Sequence, residues 1–349
     1  MPTTITIRPD LTHQQGRGLE AALDSVIQQF GPSVVATPNG TAATPPAVIA
    51  TGSLALDHAL GVGGLPKGRI TEIYGPEGVG KTTLALSVLA QAQRTGGTGL
   101  FVDTEHALDL HWAQQVGVDP HQLLVCQPAS GEQALQVASL LIGSAEVAVV
   151  VIDSIASIAA LVPQAELDGQ IGQHHAGVQA NLLSQALRQL AGPIHRANTA
   201  VVATNQLRQR AGTPGQALYT AGGRALGYYA SVRLHLRLAK TVTQQDQLLG
   251  TRVQVQVTKN KLAPAWQACE LEIHSDHGLS GEASLVDLGL DTGLLTQRGS
   301  CISYGSVQLG RGRQAAHRHL RDHPELTARL EAELRSRLDK TPTVEAAAS

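Results

Sequence analysis

The segment Gly75-Pro76-Glu77-Gly78-Val79-Gly80-Lys81-Thr82 fits the pattern G-x-x-x-x-G-K-[ST], and Thr83 follows at the head of a helix-forming stretch. Its glycines let successive backbone N–H groups turn inward around a phosphate, and a helix N-terminus adds partial positive charge. In that setting Lys81 reaches the β- and γ-phosphates of a nucleoside triphosphate, and the Thr82 hydroxyl binds Mg2+. The pattern needs a strand before it and a helix after it. The apolar run Ile70 to Tyr74 and the stretch Thr83 to Arg94 supply both.

Three further groups complete this chemistry. Asp153 ends the apolar strand Ala148 to Ile152 and is suited to hold Mg2+ through water. Asp103 and Glu105 close the strand that begins at Leu100, at the edge where parallel sheets keep their ligands. Two residues apart in an extended strand, both acids should point to one face; Glu105 is the expected base that orients water, with Asp103 in a structural role. The strand Ala200 to Thr204 runs into Asn205-Gln206, where a neutral amide can hydrogen-bond the γ-phosphate and report its presence.

These groups need a scaffold that brings several strand ends to one edge. From Thr51 to about Leu271, apolar runs alternate with helical stretches: Ile70 to Tyr74, Gly99 to Asp103, Val147 to Asp153, Ala200 to Asn205, Val232 to Leu238 and Val253 to Thr258. Continuous apolar strands separated by helices predict an α/β fold with a mainly parallel central sheet covered on both faces. The last two strands lack a helix between them and should form an antiparallel edge. Ahead of this core, Leu19, Leu23, Val26 and Phe30 recur at helical spacing until Gly31-Pro32 stops the helix. The expected organisation is a helix and linker over 1–50, a core over 51–271, a small α+β domain over 272–338 ending in a helix from Gln314 to Leu338, and a disordered tail over 339–349.

Composition narrows the partners. The 349 residues carry 26 basic and 28 acidic side chains, a net −2 that announces no polyanion by itself. The average conceals a segment: residues 1–203 sum to −7, residues 204–261 to +8 and residues 262–349 to −3, so the middle of the chain reads as a polyanion site. Cys126, Cys269 and Cys301 are scattered, which excludes a disulfide scaffold and suits a reducing, cytoplasmic setting. The longest apolar run, Val147 to Ile152, is far short of a membrane span, so no membrane partner is expected. Neither His106 with His111 nor His174-His175 makes a metal-binding pattern such as HExxH.

Longer runs then carry a resemblance. TGSLALDHALGVGGLPKGRITEIYGPEGVGKTT, FVDTEHALD, GEQAL, DSIAS, SQALRQLAG, NQLR, GGRALGYYASVRL and TKNKLAPAWQ resemble the bacterial RecA recombinase family, in the same order, over roughly residues 15–338. The resemblance implies a RecA-like P-loop ATPase core that binds ATP and Mg2+ at the subunit boundary of a homo-oligomeric helical filament. It implies Glu105 as catalytic base, Gln206 as γ-phosphate sensor, and Asp109 and Trp112 at adenine, although Trp112 equally suits the core. Lys259 and Lys261 would come from the neighbouring subunit to stabilise the transition state. Single-stranded DNA, then a homologous double-stranded partner, would be gripped by loops at 163–177 and 207–222. The residues implied there are His175, Gly177, Ser184, Arg188, Arg208, Arg210, Gly222, Gly223 and Arg224. The N-terminal helix and Val34 to Ala36 match the family's polymerisation element, and self-cleavage of the SOS repressor is the further partner activity implied.

The chain departs from the family in places. Three residues are inserted after Asp153 in DSIASIAALVP, the second loop is one residue short, and Ala176, Asn181 and Gly227 replace a bulky apolar residue, an Arg and a Lys. The linker is less basic and the tail shorter and less acidic. These changes touch DNA and subunit contacts and spare the ATPase residues, so an ATPase paralogue without efficient strand exchange is the alternative expectation.

Overall fold

The computed structural model describes residues 16–32, 34–35, 45–158, 175–208, 219–221, 223–244 and 247–338. Helix α1 (Gly16–Phe30) belongs to a first compact unit, residues 1–45, and everything after it to a second. Its Leu19 and Phe30 side chains are exposed, as is Val34.

The second unit opens with β1 (Val48–Ile49), α2 (Leu54–Ala59) and β2 (Leu65–Pro66). It continues through β3 (Ile70–Gly75), α3 (Lys81–Arg94), β4 (Thr98–Asp103), α4 (Leu110–Val116), β5 (Leu123–Cys126), α5 (Gly131–Gly143), β6 (Val147–Asp153) and α6 (Ile155–Ile158). Then come α7 (His175–Ala197), β7 (Ala200–Arg208), β8 (Tyr219–Thr220), α8 (Ala225–Tyr229), β9 (Val232–Gln244), β10 (Gln247–Asn260), β11 (Ala268–His274) and β12 (Gly278–Leu279).

The central sheet runs β12-β11-β10-β9-β3-β7-β6-β4-β5, with β8 beside β7. Strands from β9 to β5 are mutually parallel, and β10, β11 and β12 add antiparallel neighbours at the β9 end. The runs in β3, β4, β6 and β7 are therefore the middle strands, buried on both faces, and those in β9 and β10 form the expected antiparallel pair. Ile73, Phe101, Val149, Val151 and Val202 fill one face's core with the α3 residues Leu84, Leu86 and Leu89. Leu100, Val102, Val150, Ile152 and Val201 fill the other with α5 and α7. Strand β5, the apolar run Leu123–Cys126, escapes the sequence reading because it is only four residues long; at the end of the sheet, it is half exposed.

The expected core boundary at 271 falls inside β11, which continues to His274. Beyond the sheet lie α9 (Gly281–Asp291), the three-stranded antiparallel β13 (Leu295–Arg298), β14 (Cys301–Tyr304) and β15 (Val307–Arg311), then α10 (Arg313–Asp322) and α11 (Pro324–Leu338). Leu285, Val286, Ile302, Leu309, Leu320, Leu330 and Leu334 make their common core, the small α+β layer expected. The single helix read from Gln314 to Leu338 is corrected to two. Pro324 disfavours helical geometry at His323, which sits at φ −128°, ψ 75°. The tail over 339–349 lies outside the described residues.

Candidate nucleotide and DNA site

Strand β3 ends at Gly75 and α3 starts at Lys81, so the loop between them caps the sheet's C-terminal edge. Two glycines are sterically required there. Gly80, the residue before α3, has φ +94°, and a Cβ on it would lie 2.4 Å from Ile273 Cδ1. At Gly75 a Cβ would meet the Leu236 carbonyl oxygen at 2.5 Å. The Lys81 ammonium donates to the loop carbonyls of Pro76 (2.7 Å) and Gly75 (3.2 Å). Burial pushes its pKa down, against the pull of Asp153, Glu105 and Glu77.

Thr82 is the second residue of α3, and its hydroxyl donates to Asp153 Oδ2 at 2.7 Å. The Thr204 hydroxyl donates to the other oxygen, Oδ1. Burial pushes the Asp153 carboxyl up, and these two hydrogen bonds offset the rise only in part. A hydroxyl and a carboxylate in contact form an oxygen-only donor set, which fits a hard cation such as Mg2+.

The two acids after β4 separate. The strand ends at Asp103, so the alternation expected to aim both at one face does not reach Glu105. Asp103 is buried and accepts from Ala107 N and Leu108 N (3.1 Å each) and from Gln127 Nε2 (3.1 Å), which is the structural role expected of it. Glu105 is exposed, and its Oε1 accepts from Ser154 Oγ (2.5 Å) and Ser157 Oγ (3.2 Å). Those serines, just past β6, fix the acid beside Asp153. The sequence reading missed them because serines after a strand carry no distinctive pattern.

Asp109 caps α4, its Oδ1 accepting from His111 N (2.8 Å) and Trp112 N (3.1 Å). Trp112 is partly buried and packs against the core cluster under α3, so the core alternative holds for part of its ring. Gln206 lies on β7 opposite Gly75, one residue past Asn205. Asn205 is wholly buried and donates to Glu72 Oε1 (3.0 Å) and to the Ala221 carbonyl (3.1 Å). Arg233 Nε donates to the other Glu72 oxygen at 2.5 Å and stands over the Tyr74 ring. This buried network ties the sensor strand to the end of the second loop. A lone Glu inside an apolar strand was its only sequence signal.

Lys259 and Lys261 come together at α8, although β10 ends at Asn260 and the strand alternation expected to align them does not reach Lys261. Lys259 Nζ donates to Gly227 O (2.6 Å) and Tyr228 O (3.1 Å), and Lys261 Nζ to Tyr228 O (3.3 Å). Their level in the sheet is decisive. Lys259 pairs with Arg233 on β9 and Arg233 with Glu72 on β3, three residues before Gly75. At about 3.3 Å per residue and 4.8 Å per strand, the start of the phosphate loop is about 10 Å along and about 10 Å across from them. Both ammonium groups then turn to α8, which leads into the starting end of β9, away from that loop. They cannot serve their own protomer's phosphates.

Of the residues expected to bind DNA, Arg188 is exposed and Ser184 half-buried on α7, one turn apart. Arg224 is exposed just before α8, and Gly223 adopts φ +76°. His175 and Gly177 lie in the first turn of α7 and Arg208 ends β7, but their side chains are outside the description, as are Arg210, Gly222 and Ala176. Strands β6 and β7 run parallel to β3 and end at the same edge of the sheet as the phosphate loop; residues 159–174 and 209–218, which follow them in the chain, lie outside the described residues. Among the described residues, no helix is long and apolar enough to cross a membrane.

A model of the RecA N-terminal domain matches residues 17–280, and one of the RecA C-terminal domain matches residues 283–339. The chain belongs to the RecA family. Proteins named RecA from Xanthomonas euvesicatoria and Methylococcus capsulatus are 47% and 48% identical to it, over 92% of this chain and 93% and 92% of theirs. RecA of Amycolatopsis mediterranei is 45% identical over 92% of both chains. The crystal structure of the RadB recombinase, 23% identical, shares the fold over 66% of this chain and 98% of its own, with a TM-score of 0.50. As a RecA-family protein this chain is a nucleotide-binding ATPase and a DNA recombinase that forms filaments. Identity of this extent does not favour the reading of a paralogue lacking strand exchange.

Proposed function

We propose that ATP with Mg2+ is held at a boundary between two protomers, cradled by residues 75–83 of one and met by Lys259 and Lys261 of the next. Support comes from the opposite levels of the two groups in the sheet. A site built from both can close only between copies stacked head to tail. Thr82 and Asp153 hold the cation, which neutralises charge on the phosphate oxygens when bound. Lys81 binds the β- and γ-phosphates. Glu105, fixed at Oε1 by Ser154 and Ser157, uses Oε2 to orient and deprotonate the attacking water. Gln206 hydrogen-bonds the γ-phosphate, and the Asn205 bond to Ala221 carries its state to the second loop. Asp109, through Oδ2, and Trp112 contact adenine.

In the ATP state, Arg188, Arg208, Arg210 and Arg224, with His175, Gly177, Ser184 and the backbone at Gly222-Gly223, grip single-stranded DNA by its phosphates. A homologous duplex is then tested by base pairing, and hydrolysis releases the product. The same filament promotes self-cleavage of the SOS repressor, and the protein works in the cytoplasm. Residues 1–50 dock each protomer on the next, 51–271 form the catalytic core, and 272–338 form an outer domain.

Lys259→Ala and Lys261→Ala test the boundary site. Each is expected to keep ATP binding by the free protein and to lose DNA-stimulated hydrolysis by at least about tenfold. Unchanged stimulated hydrolysis in both would overturn the proposal.

A further inference from the structure

Among the described residues, one group of His, Cys, Asp and Glu side chains is close enough to share an ion, and it includes none of the histidines the sequence singles out. His274, Asp276 and His277 each offer a ligand atom, all within 4.8 Å of one another. His274 ends β11, and Asp276 and His277 lie in the turn to β12; the adjacent Ile273 reaches the phosphate loop at Gly80. His274 is buried at 6% exposure and forms the floor, while the Asp276 side chain is 74% exposed at the rim.

His274 is already arranged as a ligand. Its Nε2 lies 2.8 Å from Glu272 Oε1, and Glu272 is 3% exposed. Glu272 Oε2 is ion-paired with Arg252 Nε at 3.0 Å, and its Oε1 also accepts from Gln314 Nε2 at 2.9 Å. An ionised carboxylate only accepts, so the His274 proton sits on Nε2 and Nδ1 carries the lone pair. Among the described residues no hydrogen bond reaches that Nδ1. A buried carboxylate behind an imidazole is the arrangement that orients histidine ligands and raises their basicity.

His277 completes the set. Its Nδ1 lies 2.5 Å from Asp276 Oδ1, and its Nε2 lies 2.5 Å from Arg321 Nη2. Since Arg321 can only donate, Nε2 accepts and the proton between His277 and Asp276 belongs to Nδ1.

We propose that His274 Nδ1, Asp276 and His277 Nδ1 bind a divalent transition ion of the Zn2+ class, with water in the fourth position. Two imidazoles and one carboxylate suit that ion, and Mg2+ or Ca2+ would want oxygens throughout. The ion takes the place of the proton on His277 Nδ1, and that proton moves to Nε2. There it faces the Arg321 guanidinium, donor against donor. Arg321 therefore swings to Glu282, whose Oε1 is 4.0 Å from its Nε. Binding thus shifts a contact between the sheet and α10.

The test is a Zn2+ titration of the full chain, free of nucleotide and affinity tag. One equivalent is expected to bind. His277→Ala, at a partly buried position, and Asp276→Ala, at an exposed one, are expected to weaken it about 10- to 100-fold while keeping wild-type DNA-stimulated ATP hydrolysis in Mg2+ without added Zn2+. Arg321→Ala is expected to tighten it several-fold, a gain that a merely structural role for the arginine would not give. Zn2+ binding unchanged in both His277→Ala and Asp276→Ala, or no binding to the wild-type chain at micromolar Zn2+, would overturn the proposal.

Discussion

Glu105 owes its assignment to what it does not share with Asp103. Asp103 spends its oxygens on backbone N–H groups and Gln127, whereas Glu105 keeps one oxygen clear at the mouth of the site. Glu105→Gln retains the serine contacts and loses the basic oxygen. Steady-state ATP hydrolysis with single-stranded DNA should fall about 10²- to 10⁴-fold, with nucleotide binding intact. The fluorescence change of a labelled nucleotide separates the two quantities. A second residue tests the packing behind the site. Asp57, in α2, is buried, and desolvation, partly offset by hydrogen bonds from Thr51, raises its pKa from 3.8 to about 6. As pH rises, the unfolded chain releases this proton first, so the group costs the fold stability between about pH 4 and 6, reaching about 3 kcal/mol above that. In urea unfolding, Asp57→Asn should gain about that much on the native chain between pH 4 and 7. A constant gap would contradict the assignment.

At the scale of elements, the parallel strands were legible because burial on both faces writes them as unbroken apolar runs. Ile70–Gly75 and Val147–Asp153 were read almost to the residue. The phosphate loop was legible because its glycines answer to steric demands that no other residue meets. What stayed hidden depends on neighbours rather than on pattern. Strand β5 is too short a run to stand out, the break at Pro324 lies in a polar stretch, and the early end of β4 separates two acids that alternation would have aligned. The Glu72 network was equally hidden, since Asn205 and Arg233 are brought to it from remote strands. Glu72 has no exposure, so removing a partner strands a buried charge. Arg233→Ala should therefore destabilise the core by about 3 kcal/mol in urea unfolding, far more than a surface arginine. A loss near zero would mean that Asn205 alone suffices.

At the scale of the molecule, the charge pattern and the sheet levels point the same way. The basic stretch 204–261 contains Arg208, Arg210 and Arg224, proposed to grip DNA, and the lysines proposed to reach a neighbour's ATP. One segment of each protomer would then read nucleotide and polynucleotide together. The exposed Leu19, Phe30 and Val34 of the first unit add an apolar surface of the kind a neighbouring copy covers. The central claim is that the ATP site is shared, and mixed filaments test it directly. Glu105→Gln and Lys261→Ala are each inactive alone on this account. An equal mixture should regain about a quarter of the wild-type DNA-stimulated hydrolysis, because about one boundary in four pairs an intact Glu105 with an intact Lys261. A mixture as inactive as its components would mean that both residues act within one protomer, and the account would fail.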